Sequence, residues 1–89
     1  MNNLVYLIGR LAKDVREDGI TLAVQRSYKN KDDIYETDMI ECTFDGQPNI
    51  AKNTQEYCKK GDLVGIKGSL RQGGIVAIEK ISFLASKRK

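Results

Sequence analysis

The chain has 89 residues, a formal net charge of +3, two cysteines and no histidine. That size holds one domain with a small core, and the composition excludes a cystine framework and the usual histidine-containing zinc sites. No apolar run reaches the roughly 20 residues a membrane helix needs, and "MNNLVYLIGRL" lacks the charge and cleavage pattern of a signal peptide, so a soluble intracellular protein is expected.

The first element is "NLVYLIGRLAKD". Val5, Leu7, Gly9 and Leu11 alternate with Tyr6, Ile8, Arg10 and Ala12, a period of two that predicts a strand with both faces rather apolar. Asp18-Gly19 is a hairpin turn signal, because glycine supplies the positive φ such turns use. "ITLAVQRSY" alternates again, placing Ile20, Leu22 and Val24 inward and Thr21, Ala23 and Gln25 outward. After the polar loop "KNKDD" comes a third strand, "IYETDMIECTF". Ile40, Cys42 and Phe44 lie on its inner face; Met39, Glu41, Thr43 and Asp45 lie on its outer face.

The period then changes. "QPNIAKNTQEYCKKG" predicts a helix, with Pro48 near its start, Asn53 and Glu56 as a capping pair, Lys59 and Lys60 in its last turn and Gly61 as its stop. "DLVGIKGSLRQ" is a fourth strand with Val64, Ile66, Gly68 and Leu70 inward. Gln72-Gly73-Gly74 turns the chain into a fifth strand, "IVAIEKISFL".

Three strands, a helix and two strands form the layout of an OB-fold, an all-β class of five-stranded Greek-key barrel with one helix between strands three and four. Gly9 and Gly68 stand inside strands, where a missing side chain permits the bends of a small barrel. The expected organisation is an OB-fold domain over residues 1–85 and a short basic end over residues 86–89, with Lys87, Arg88 and Lys89 as a loose tail.

Charge is unevenly spread. Residues 32–51 carry Asp32, Asp33, Glu36, Asp38, Glu41 and Asp45 and no lysine or arginine, whereas the flanking segments are basic. A basic body favours polyanions. The acidic strip suits a basic protein partner or a subunit contact. Glu41 and Asp45, four apart on one strand, would lie about 13 Å apart, too far for an acid–base pair at a glycosidic bond. No other catalytic set surrounds them, so a non-enzymatic protein without metal or cofactor is expected. Cys42 and Cys58 are read as buried packing residues.

"MNNLVYLIGRLAKD", "ITLAVQRSYKNKDDIYETDMIEC" and "EYCKKGDLVGIKGSLR" together resemble the OB domain of the bacterial and phage single-stranded DNA-binding proteins. The resemblance implies binding of single-stranded DNA with little sequence preference, in replication, recombination or repair, and homo-oligomers, dimers or tetramers, in the bacterial cytoplasm. It places Tyr28 at an aromatic stacking position, flanked by Arg26, Lys29 and Lys31. Arg10, Lys67 and Arg71, on outward strand phases, are candidate phosphate contacts. Met39 and Asp45 stand where the family carries aromatic residues, so Met39 is a candidate apolar contact and the strand-three side is expected to grip DNA less. "VREDG" and "QGG" stand where the family has longer loops, and the sequence closes on "KRK" where the resemblance leads one to expect an acidic tip, so either a minimal version or a tip located elsewhere is expected. Leu4, Tyr6 and Ile8, the second phase of strand one, are the candidate oligomer contact. Two other readings of the same barrel are a protein–protein interaction module with a reduced nucleic-acid face and a single-stranded RNA binder.

Overall fold

The computed structural model describes residues 3–86. The tail at 87–89 lies outside the described residues. Strands β1 (Val5–Leu11), β2 (Gly19–Lys29) and β3 (Tyr35–Thr43) are followed by helix α1 (Pro48–Tyr57), then by β4 (Leu63–Leu70), a single 3₁₀ turn and β5 (Val76–Ala85). The sheet closes as β1-β2-β3-β5-β4, with β4 returning to β1. All pairings are antiparallel except the short parallel contact of β3 with β5. This is the OB-fold the element order predicts.

Inward residues of the alternating strands fill the barrel. Leu11, Ile20, Leu22, Cys42, Phe44, Val64, Ile66, Val76 and Ile78 form one buried cluster. Helix α1 covers it with Ile50 and Ala51, and Cys58 joins the buried cluster just after the helix. The chain crosses itself closely where side chains are missing: a Cβ on Gly68 would run into the carbonyl oxygen of Ala77, and one on Gly9 into that of Ala23. Backbone atoms of a paired strand cannot step aside, so glycine is required at both bends.

Local details depart from the sequence reading. The helix ends at Tyr57, and Cys58 turns extended to bury its thiol. Lys59 and Lys60 therefore lie in the following turn, not in the helix. Here the Asp62 carboxylate accepts the Lys59 amide at 2.9 Å, and Gly61 takes a φ of +93°. No Asn53–Glu56 capping pair forms, because α1 starts at Pro48, upstream of both residues. Leu70, expected inward, is 52% exposed at the end of β4. Asp45 is not on the face of β3, which ends at Thr43; it sits in the next turn at a φ of +47°. Thr21, expected outward, is only 3% exposed, because Arg16 and Glu41 close over it.

The barrel does not contain the whole β2–β3 hairpin. From Gln25 on β2 to Thr37 on β3 almost every residue is exposed, and no core residue lies in this stretch. The two strands run on as an arm beyond the barrel. β1 and β2 pair only at Arg10–Ala23 and Leu11–Leu22, so residues 5–9 of β1 are bonded on one edge alone, to β4.

Candidate nucleic-acid interface

Polar and ionic contacts hold the arm in place of a core. At its tip the Asn30 side-chain oxygen accepts the amides of Asp32 (2.8 Å) and Ile34 (3.1 Å), while its amide group donates to Glu36 at 3.0 Å. Asparagine suits such a tip because its side chain stands in for a backbone turn. Lys29 pairs with Asp33 at 3.3 Å and lies over the Tyr35 ring, 5.6 Å from its centroid. Further down, Arg26 reaches Glu36 at 2.7 Å and takes Asp38 in two parallel bonds of 3.1 and 3.0 Å. Hydrogen bonding to Asp38, then the charges of Asp38 and Glu36, push the Arg26 pKa up; its guanidinium in turn holds Asp38 below the ordinary carboxylate range.

Five of the six carboxylates of the acidic strip, all but Asp32, thus meet the protein's own cations. Glu41 accepts Arg16 at 2.8 Å and the Thr21 hydroxyl at 2.6 Å, and Asp45 accepts Arg71 at 2.7 Å. Asp33, Glu36 and Asp38 are engaged as described. Glu41 and Asp45 are accordingly bound to separate arginines, and Arg26, Lys29 and Arg71, expected to be open to phosphate, each hold a carboxylate.

The arm has two distinct faces. Tyr35, Thr37 and Met39 are alternate residues of β3 and pair with Lys29, Gln25 and Ala23. Between Gln25 and Lys29 the register shifts, so four steps along β2 match two along β3. An even number of extra residues preserves the alternation, so Arg26 and Tyr28 fall on the opposite face, with Glu36 and Asp38. Tyr28 and Met39 are both exposed but do not share a face. Tyr35 is absent from the sequence-derived candidates, although counting back by twos from Met39 through Thr37 reaches it.

Arg10 donates one Nη hydrogen bond to the Gly61 carbonyl at 3.0 Å and lines a depression of about 530 Å³ with Ile8, Gly9, Ala23, Gln25 and Thr37, where β1 and β2 splay apart. Lys31 is exposed beside Asp32 in the turn at the arm tip. Lys67 is elsewhere. It pairs across the strands with Tyr6 on β1 and Lys80 on β5, and these residues line a second depression, of about 450 Å³, with Ile8, Ser82 and Leu84. Leu4, Tyr6 and Ile8 are 55%, 68% and 64% exposed. The phosphate candidate Lys67 and the oligomer candidates Tyr6 and Ile8 therefore occupy one face. Among the described residues no group of histidine, cysteine and carboxylate side chains is placed to hold a metal ion.

Residues 2–80 match the model of the Single-strand binding protein family. The chain belongs to that family. It is 40% identical over 80 residues to single-stranded DNA-binding protein B of Bacillus subtilis, covering 80% of this chain and 69% of that protein. It is 39% identical over 80 residues to single-stranded DNA-binding protein 1 of Streptococcus pyogenes, covering 80% of this chain but 60% of the relative. Among solved structures, the small single-stranded DNA-binding protein of Streptomyces coelicolor superposes with a TM-score of 0.73 at 18% identity, covering 94% of this chain and 93% of that one. The mitochondrial single-stranded DNA-binding protein of S. cerevisiae gives 0.63 at 17% identity, covering 97% and 98%. At such identities the two structures support the shared OB-fold.

Proposed function

We propose that this protein binds single-stranded DNA with little sequence preference and without catalysis, in bacterial replication, recombination or repair, and acts in the cytoplasm. Family membership over residues 2–80 carries the reading. The arm supports it: an exposed ribbon with aromatic rings and cations on both faces has the ingredients of a single-strand site, which combines base stacking with backbone electrostatics. In this reading Tyr28 supplies a stacking ring, and Arg10 and Lys31 supply cations not engaged in the ion pairs described above. Arg26, Lys29 and Arg71 reach phosphate only in competition with Glu36, Asp38, Asp33 and Asp45. The internal pairing of the acidic strip weakens its reading as a docking site for a basic protein.

The same barrel self-associates in our reading, as a dimer or tetramer, through Leu4, Tyr6 and Ile8. An exposed apolar row beside a strand edge bonded on one side only favours a second copy. Lys67 then belongs to the subunit contact and not to the DNA path.

Titration of oligo-dT at low and moderate salt tests the function. Tight, salt-sensitive binding with little affinity for duplex is expected. No binding at micromolar protein rejects the reading, and preference for oligo-U in competition replaces DNA with RNA.

A further inference from the structure

The face of the arm opposite Tyr28 lacks the aromatic residue expected at Met39, yet it is well provided for a nucleotide. Tyr35 is exposed, and Lys29, its cross-strand partner, lies 5.6 Å from the ring centroid. A cation over a ring fixes the ring's position and places positive charge beside it. Lys29 also meets Asp33, so the ring is held from a residue anchored at both ends. Next along β3 on the same face is Thr37, opposite Gln25.

From there the surface falls into the depression of about 530 Å³ between β1 and β2. Gly9 and Ala23 leave its floor low; Gln25 and Thr37 bring an amide and a hydroxyl to its rim; Arg10 stands at its side. Arg10 spends one bond on the Gly61 carbonyl. A guanidinium has five N–H donors, so others remain for a phosphate. Ring, ammonium, hydroxyl, amide and guanidinium thus follow one another along a single continuous face. The other face of the arm offers Tyr28 beside an arginine already closed by two carboxylates.

We infer that Tyr35 is a base-stacking residue, and that the strand it holds continues past Thr37 and Gln25 to a phosphate contact at Arg10. The site rests on the proposed single-strand function and adds a second stacking platform to Tyr28, on the opposite face. A strand that uses both platforms passes over the edge of the arm.

Oligo-dT titrations of wild type, Tyr35→Ala, Tyr35→Phe and Arg10→Gln test it. Tyr35→Ala is expected to weaken binding by about 5- to 150-fold, the usual range for losing one stacked base. Tyr35→Phe keeps the wild-type affinity, since stacking needs the ring and not the hydroxyl. Arg10→Gln lowers the slope of log affinity against log salt by about 0.7, as loss of one phosphate contact on a single strand does. The natural chain has no tryptophan, so Tyr35→Trp carries a lone indole whose fluorescence is quenched on adding oligo-dT; this measurement decides if Tyr35→Ala fails to fold. Wild type that does not bind oligo-dT overturns the function and this site together. Wild-type binding with an unchanged Tyr35→Ala overturns this site alone. Equal losses in Tyr35→Ala and Tyr35→Phe assign the effect to the hydroxyl and overturn stacking.

Discussion

Arg26 grips Asp38 through two parallel hydrogen bonds, Nε to Oδ2 at 3.1 Å and Nη2 to Oδ1 at 3.0 Å, across a pair of strands that has no core beneath it. With Glu36 as a third contact at 2.7 Å, the guanidinium fastens the base of the arm. Bidentate pairing adds geometric specificity that a point charge cannot supply. The same contact sets a cost on DNA binding, because a phosphate that engages Arg26 must displace or share its carboxylates.

Neutralising those carboxylates therefore changes affinity. Asp38→Asn and Glu36→Gln together are expected to tighten oligo-dT binding several-fold and to steepen its salt dependence by about 0.7 in slope, the signature of one added phosphate contact on a single strand. Fluorescence anisotropy at three salt concentrations measures both. Adding Arg26→Ala to the pair should return the slope to the wild-type value. An unchanged slope in Asp38→Asn with Glu36→Gln would show that Arg26 serves the arm only. The pair also weakens in acid. Its folded carboxylate sits below the ordinary range, so what it contributes is present above the unfolded pKa and is lost as pH falls through the folded one.

Tyr28 is exposed and packs in no core cluster, so removing its ring leaves the barrel intact. Tyr28→Ala is expected to cost on the order of 1–3 kcal/mol of oligo-dT affinity with no loss of thermal stability, while Tyr28→Phe binds as wild type does. Isothermal titration and a melting curve on the same samples separate the two effects. Unaltered affinity in Tyr28→Ala would leave the arm without a stacking role on that face.

What the sequence made legible, and what it did not, follows from how local each feature is. Period two is written in consecutive residues, and the strands appear where the alternation places them. Asp18-Gly19, read as a hairpin turn, is instead the entry to β2: Gly19 takes no positive φ and pairs with Thr43, and glycine is needed there because a Cβ would run into the Cys42 carbonyl oxygen. The buried position of Phe44 follows from the same alternation. Pairing of Arg26 with Asp38 depends on the register of two strands and on a shift between Gln25 and Lys29, neither of which single-strand periodicity encodes. Thr21 is buried by side chains from positions 16 and 41, a contact invisible along β2 itself. The cations of the candidate site were visible as residues, but their carboxylate partners were not. The acidic strip consequently looked like a docking surface for a basic partner when most of its carboxylates are paired in place.

Burial raises the Cys42 thiol to about 11, with the Glu41 charge adding to the effect and Arg16 opposing it. The folded pKa lies above the ordinary 9.0, so the unfolded chain loses its proton first as pH rises. Stability is unaffected by this group below about 9 and falls above it, as pH rises toward the folded pKa. Urea unfolding of wild type against Cys42→Ala between pH 8 and 11 should show the gap between the two narrowing as pH rises. Iodoacetamide at pH 8 is expected to modify Cys42 slowly in the native protein and rapidly in urea, because the thiolate is the reactive form. Rapid native modification would contradict the buried, protonated thiol.

Tyr6 and Ile8 are the centre of the proposed subunit contact. They point outward from the part of β1 bonded only to β4, and the depression beside them is shared with Lys67 and Lys80. Those two lysines face each other across β4 and β5, an arrangement of like charges that disfavours the sheet unless a counter-charge or water meets it. An apolar row flanked by lysines is a mixed surface of the kind that buries its centre and leaves its charged rim wet. Ile8→Glu sets a carboxylate in the middle of the row. In a symmetric contact that carboxylate meets an apolar partner surface or its own copy, so removal from water goes uncompensated. Wild type is expected to sediment as a dimer or tetramer at tens of micromolar and Ile8→Glu as a monomer, with the barrel's circular dichroism unchanged because Ile8 is not a core residue. Ile8 also lines the depression beside Arg10, so the DNA readout uses Tyr6→Glu, which lies outside that depression: a monomer binds DNA without the avidity of linked sites, and long oligo-dT should lose more affinity than short oligo-dT. A monomeric wild type would reject this face as the contact, and equal loss on long and short oligonucleotides in Tyr6→Glu would place Tyr6 in the DNA path instead.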